Sequence, residues 1–186
     1  MDVIDLLTAD HNRMRGAIAR FKEADGDRSV LAATIIDQLQ THMMAEEKVF
    51  YRAVQGRTED IDGEVNEGLE EHHVATLLIE EIESLEPNSD TWVAKLSVLI
   101  ENVEHHVDGE EEDLFPAVRS SSSSGWRRTL GEQLDSEEVR LGAPSLSERL
   151  DRTTTDLQQL ARDQEIPGRS SMKHDELAAT VGLHLG

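Results

Sequence analysis

The stretch HMMAEEKVFY, residues 42–51, lies in register with HVDGEEEDLF, residues 106–115. Each copy reads His, three residues, Glu-Glu, then an apolar-aromatic pair at its end: His42, Glu46, Glu47, Phe50 and Tyr51 against His106, Glu110, Glu111, Leu114 and Phe115. The second copy follows the first at a constant offset of 64 positions. In an α-helix, residues i and i+4 stand about 40° apart on one face. Each copy therefore puts a histidine and a glutamate together on one helical stripe, and a stripe implies a second helix to face it.

Outward from these copies, apolar residues recur every three or four positions, the period of amphipathic helices. The first helix is predicted over about 2–24, with Val3, Leu7, Met14, Ile18 and Phe21 on its stripe. The second runs over about 29–55, with Ile35, Leu39, Val49 and Ala53. The third covers about 61–85, with Val65, Leu69, Ile79 and Ile82, and the fourth about 90–118, with Trp92, Leu96, Leu99, Val103 and Ala117. ADGDRS, GRTEDIDG and EPNSD separate them, the last offering a Ser or Asp as helix cap. Short connections make successive helices antiparallel neighbours. The expected fold is all-α, an up-down antiparallel four-helix bundle over residues 1–118. A flexible Ser-rich linker is expected at 119–125 and a short helical C-terminal extension at 126–186. Pro116 is expected to kink or stop the fourth helix.

Composition narrows the function. The chain has 186 residues, 3% of them aromatic, and a net charge of −21, which disfavours nucleic acid and anionic membrane as partners. With no cysteine, disulfides, thiolate metal sites and cysteine nucleophiles are excluded. No signal peptide is visible and no run approaches the roughly 18 apolar residues of a membrane span, so a soluble cytoplasmic protein is expected.

The stripes carry one histidine each near mid-helix: His11, His42, His72 and His106. The doublets His72-His73 and His105-His106 are ambiguous by one position, and His72 and His106 keep the apolar spacing. Glu46 and Glu110 follow their histidines by four residues, and Thr76 follows His72 by four. Burying four imidazoles and two carboxylates among aliphatic side chains costs several kcal/mol per unpaired ion, and metal cations are the economical partner. Two six-coordinate ions need about twelve bonds. Four histidines, two bridging glutamates and a bridging solvent oxygen supply most of them and leave open positions for another ligand. Asp10 and Glu71, each just before a stripe histidine, are candidates to orient a ligand imidazole, and Tyr51 to donate a hydrogen bond at the site or to ligate weakly. The plainer readings are a solvated face for these acids, for Glu47, Glu111 and Glu112, and a rim aromatic for Tyr51. Met14, Met43 and Met44 are expected to fill the core.

Over about residues 1–118, on ADHNRMR, HMMAEEKVFY, EEHHVATLLIEEIE and HHVDGEEEDLFPAV, the chain resembles the hemerythrin-like, or HHE cation-binding, family. The resemblance implies a four-helix bundle with a non-haem, carboxylate-bridged pair of irons held by His11, His42, Glu46, His72, His106 and Glu110. Manganese and zinc accept the same donors. The oxygen-carrying hemerythrins have a second third-helix histidine where this chain has Thr76. The resemblance therefore points away from simple oxygen carriage, towards reacting with or sensing peroxide, O2 or NO. Peroxide disproportionation is one possible activity. The alternative is an iron-binding, storage or iron-responsive interaction domain without turnover. A ferritin-like site would need Glu-x-x-His twice, and only Glu70-x-x-His73 occurs. Residues 155–182 resemble a SAP-like or Rho-N-like helical motif, but that stretch is itself acidic, and nucleic acid is not an expected partner.

Overall fold

The computed structural model describes residues 1–144 and Arg162, and the described residues are helical without strands. Helix α1 is Val3–Glu23. Helix α2 starts as Ser29–Ala45, widens into a π-helical segment over Glu46–Tyr51 and closes with Arg52–Val54. Helix α3 is Glu59–Glu83. Helix α4 runs Asp90–Gly109, passes through a π-helical segment over Glu110–Leu114 and continues as Phe115–Ser121. Helix α5 is Ser124–Arg140.

The starts are set by side chains that satisfy otherwise orphaned N–H groups. Asp2, Thr58 and Ser89 accept from the backbone N–H of Ile4, Ile61 and Trp92 at 3.1, 3.2 and 3.3 Å. Ser89 is thus the cap expected in EPNSD. Beside it, Asn88 takes the left-handed conformation (φ 63°) and ties two turns together. Its Oδ1 accepts from the Arg28 N–H at 3.0 Å, and its Nδ2 donates to Asp27 at 2.7 Å.

Helix α1 packs on α2 and α3 on α4, and lesser contacts of α1 with α4 and α2 with α3 close the four-helix bundle. Its interior divides into two apolar clusters. One gathers Met14, Ile18, Leu39, Ile79, Leu96 and Val103 among others, the second Leu7, Phe50, Val65, Leu114 and Val118. In each of α1 to α4 the stripe histidine lies near where one cluster gives way to the other. Met14 and Met43 are core residues, but Met44 is exposed, one helical position off the stripe.

The serine run is more ordered than its composition suggests. Helix α4 extends through Ser121, α5 begins at Ser124, and Ser123 caps α5 by accepting from the Trp126 N–H at 3.3 Å. Ser120, Ser121 and Ser122 turn their hydroxyls back onto carbonyls of Ala117 and Val118, which lets a polar run stay helical. A linker spanning 119–125 is thereby reduced to a tight turn. Pro116, rather than ending α4, sits just after its π segment, in the first turn of Phe115–Ser121, where a missing N–H costs little.

Helix α5 lies on α1 and on α2 near its π segment, burying Leu130 and Leu134. Gly131 passes so close to the N-terminal backbone that a Cβ would strike the Met1 carbonyl. Arg127 bridges to Asp2 at 2.7 Å, and Lys48 to Glu137 at 2.9 Å. No helix among the described residues is long and apolar enough to cross a membrane. The SAP-like stretch, 155–182, lies outside the described residues, Arg162 apart.

Candidate metal centre

Both π segments begin at the stripe glutamates, Glu46 and Glu110. In an unbroken α-helix a residue five positions on stands about 140° round the axis. The wider i→i+5 turn takes up most of that angle. It returns Tyr51 to the face of Glu46 and Phe115 to the face of Glu110. There Tyr51 stacks on His72 (ring centroids 5.6 Å apart, 21° between planes) and Phe115 on His11 (5.6 Å, 13°). The sequence repeat thus becomes a pseudo-twofold site in which each aromatic holds a histidine from the other hairpin.

The structure brings His11, His42, Glu46, His72, His106 and Glu110 into one buried layer, none more than 5% exposed. His73 and His105, the other members of the doublets, point to solvent. His11 Nε2 faces Glu110 Oε2 at 3.3 Å, and His42 Nε2 faces Glu46 Oε2 at 3.4 Å. His72 Nε2 and His106 Nε2 are 3.1 Å apart, and Glu46 Oε2 lies 3.6 and 3.9 Å from them. His11 and His42 form one imidazole pair and His72 and His106 another, with Glu46 reaching into both pairs and Glu110 likewise, 3.7 Å from His106.

Three of the four imidazoles are fixed from outside by a carboxylate on Nδ1. Glu111 takes His11 at 2.9 Å, Glu47 takes His72 at 3.0 Å, and Glu71 takes His106 at 2.8 Å. Such partners set the tautomer that turns Nε2 inward. Glu71 therefore orients an imidazole, though on α4 rather than that of its neighbour His72. Asp10 is buried and paired with Arg13 within α1. Tyr51 is buried, and its hydroxyl donates to Glu110 Oε1 at 2.8 Å. Gly68 makes room for it, since a Cβ there would collide with that hydroxyl. Thr76 is exposed and donates back to the His72 carbonyl at 2.9 Å. It does not face the layer, because Ala75 takes the inward position.

Glu47 and Glu111 were expected on solvated faces, and their orienting role is the main feature that spacing conceals. Both stand one residue beyond the stripe and are partly exposed. Their signal was the repeat itself, which keeps Glu-Glu rather than a single Glu in each copy.

As protein alone, the layer is electrostatically divided. Burial opposes a charge on His11, but Glu110 and Glu111 outweigh it and hold the imidazole up at about 9. Burial likewise opposes His106, and Glu110, Glu46 and Glu71 raise it to about 10. Burial and the neighbouring His11 press His42 down to about 3. Glu46 is driven up to about 8 by burial and by Glu110. Glu110, despite its burial, is held below the usual carboxylate range by His106 and His11. Inward polar atoms still lack hydrogen bonds: Nε2 of His11 and His42, both oxygens of Glu46 and Oε2 of Glu110. Buried polar groups are ordinarily paired. Ligand atoms of His42, Glu46, His106 and Glu110 lie within 4.8 Å of one another. Imidazole nitrogens and carboxylate oxygens so arranged fit metal cations, and the cluster points to metal binding.

Residues 2–118 match the hemerythrin HHE cation binding domain. Among curated proteins the chain is similar to one named DNA nickase from Nostoc sp. (strain PCC 7120 / SAG 25.82 / UTEX 2576), at 27% identity over 126 residues. The match covers 67% of this chain and 35% of that protein, so the chain spans about a third of the relative's length. No solved structure matches.

Proposed function

Because the chain belongs to the hemerythrin HHE cation-binding family, we propose that it is a non-haem di-iron protein that reacts with or senses a small oxidant, O2, H2O2 or NO. The ligands in this reading are His11, His42, Glu46, His72, His106 and Glu110. The observation that carries it is the burial of all six side chains in one layer, with inward donor atoms of His11, His42, Glu46 and Glu110 that have no hydrogen-bond partner. Iron, when bound, supplies the redox change and a coordination position for the small molecule.

The rest is the work of the protein. Each hairpin contributes one histidine pair, and Glu46 and Glu110 span the two. Glu47, Glu71 and Glu111 hold imidazoles in the orientation that keeps Nε2 inward. Tyr51 fixes Glu110 through Oε1 and leaves Oε2 for the centre. The apolar clusters above and below exclude water, which strengthens every electrostatic interaction in the layer. With Thr76 turned away, four imidazoles rather than five face the centre, which leaves more of the coordination shell to a small ligand.

Burial of all six donors also favours a second reading, retention of iron without turnover. Oxygen evolution from hydrogen peroxide separates the two. Iron-loaded protein that evolves oxygen, and loses this activity as His42→Ala, supports oxidant chemistry. Iron-loaded protein that neither evolves oxygen nor changes its absorption spectrum with peroxide, O2 or NO leaves storage or iron-responsive interaction. The net charge of −21 opposes approach of a polyanion, so no DNA-directed activity forms part of this proposal. Residues 1–118 are proposed as the metal-binding domain, with α5 as its buttress.

A further inference from the structure

Outside the buried layer, one other group of ligand atoms converges among the described residues. Atoms of Glu67, Glu71 and His105 lie within 4.8 Å of one another. They belong to facing turns of α3 and α4 and line a cleft of about 160 Å³, together with Glu64 and Asp113. His105 is 74% exposed, whereas the inner wall of the same cleft is made by His106 and Glu110 of the buried layer. Glu110 is only 5% exposed, and its Oε2 has no hydrogen-bond partner. Glu71 belongs to both levels: Oε1 is 3.5 Å from His105 Nε2, while Oε2 holds His106 Nδ1 at 2.8 Å.

We propose that Glu67, Glu71 and His105 form a transient site for a divalent cation, through which metal passes from solvent to the buried layer. The proposal rests on the reading of that layer as a metal centre. Two carboxylates and an imidazole suit a borderline cation such as Fe2+, Co2+ or Zn2+. Three partly exposed ligands bind it weakly enough to release it inward. Four carboxylates around the mouth of one small cleft, Glu64, Glu67, Glu71 and Asp113, with Glu110 at its inner wall, concentrate negative potential, and such focusing raises the arrival rate of cations. Burial, then Asp113 and Glu67, raise the pKa of the Glu64 carboxyl, as expected of acids crowded at one mouth. Another cavity among the described residues, of about 260 Å³ at His42, suits a cation less well. Its acids Asp10, Asp37 and Glu138 share the cavity with Arg13, no three of its ligand atoms converge as those of Glu67, Glu71 and His105 do, and it is partly walled by Leu141–Pro144.

The test mixes metal-free, full-length protein with Co2+ and follows the visible absorption of cobalt bound by imidazole and carboxylate. Wild type, E67Q/H105Q, Glu46→Ala and a surface control, E80Q/E101Q, are compared at limiting cobalt. The expected result is a wild-type endpoint for E67Q/H105Q reached about tenfold or more slowly, with the control at the wild-type rate. Loading of E67Q/H105Q at the wild-type rate, or equal slowing of the control, overturns the transit site. Loss of the signal in Glu46→Ala shows, in that event, that the metal centre still stands. A wild type that gives no such signal overturns both.

Discussion

Glu111 is 27% exposed and lies in the middle of an acidic run, yet it is among the most constrained carboxylates of the centre. Besides His11 Nδ1 it accepts two hydrogen bonds from Arg15, at 2.9 and 3.0 Å, and Arg15 is anchored in turn by Asp108. Glu47 does for His72 what Glu111 does for His11. Removing an outer carboxylate of a ligand histidine typically costs 10–100-fold in metal affinity. Glu47→Ala and Glu111→Ala are therefore each expected to weaken iron binding by about 10–100-fold, with the exposed Glu112→Ala unchanged. Competition against a metal-binding dye measures this, and a loss as large in Glu112→Ala would show that bulk charge is responsible. At this scale the six inward residues were legible because helical spacing alone places them on the stripes. The residues that hold them were not, since a half-exposed glutamate beside a stripe has the same composition as a solvated one. Spacing alone does not place Thr76 either: i+4 from His72 fits a stripe, but the third helix turns Ala75 inward instead.

At the scale of elements, existence and extent of the helices followed from apolar periodicity and, for the fourth, from the cap residue Ser89; the Thr58 cap that starts the third at Glu59 was not read. The π segments were invisible, because a change from i→i+4 to i→i+5 hydrogen bonding leaves no mark in composition. A hint lay in the spacing. His42 and Tyr51 are nine residues apart, which puts them on opposite faces of a straight α-helix, about 180° round. Both are nonetheless buried. Deleting Glu112, an exposed member of the second π segment, is expected to restore α-helical register and swing Phe115 off His11. Helicity by circular dichroism should persist while metal affinity falls about tenfold or more, the usual cost of a lost orienting contact. Unchanged affinity in this deletion would deny the π turn its role.

At the scale of the molecule, α5 adds a fifth helix to the bundle among the described residues, although the matched domain ends at residue 118. Its serine-rich approach looked like a linker because serine is common in linkers, and the same hydroxyls here cap and line helices. Glu137 is held at about 2 by Arg140 and then by Lys48, the second of which belongs to α2. A carboxylate with a depressed pKa lends stability above its ordinary pKa and loses it as pH falls through the folded value. Glu137→Gln should therefore lower the thermal midpoint at pH 7, and the gap from wild type should close as pH falls from about 5 towards 2. A gap equally wide at pH 7 and pH 3 would assign the effect to packing instead.

The central claim is that six side chains converge to hold two cations inside the bundle. An anomalous-difference map at the iron edge, from crystals of iron-loaded full-length protein, tests it most directly. Two peaks per chain are expected, one beside His11 and His42 and one beside His72 and His106, with Glu46 and Glu110 between them. A layer with no peak, or iron found only at the protein surface, would contradict it.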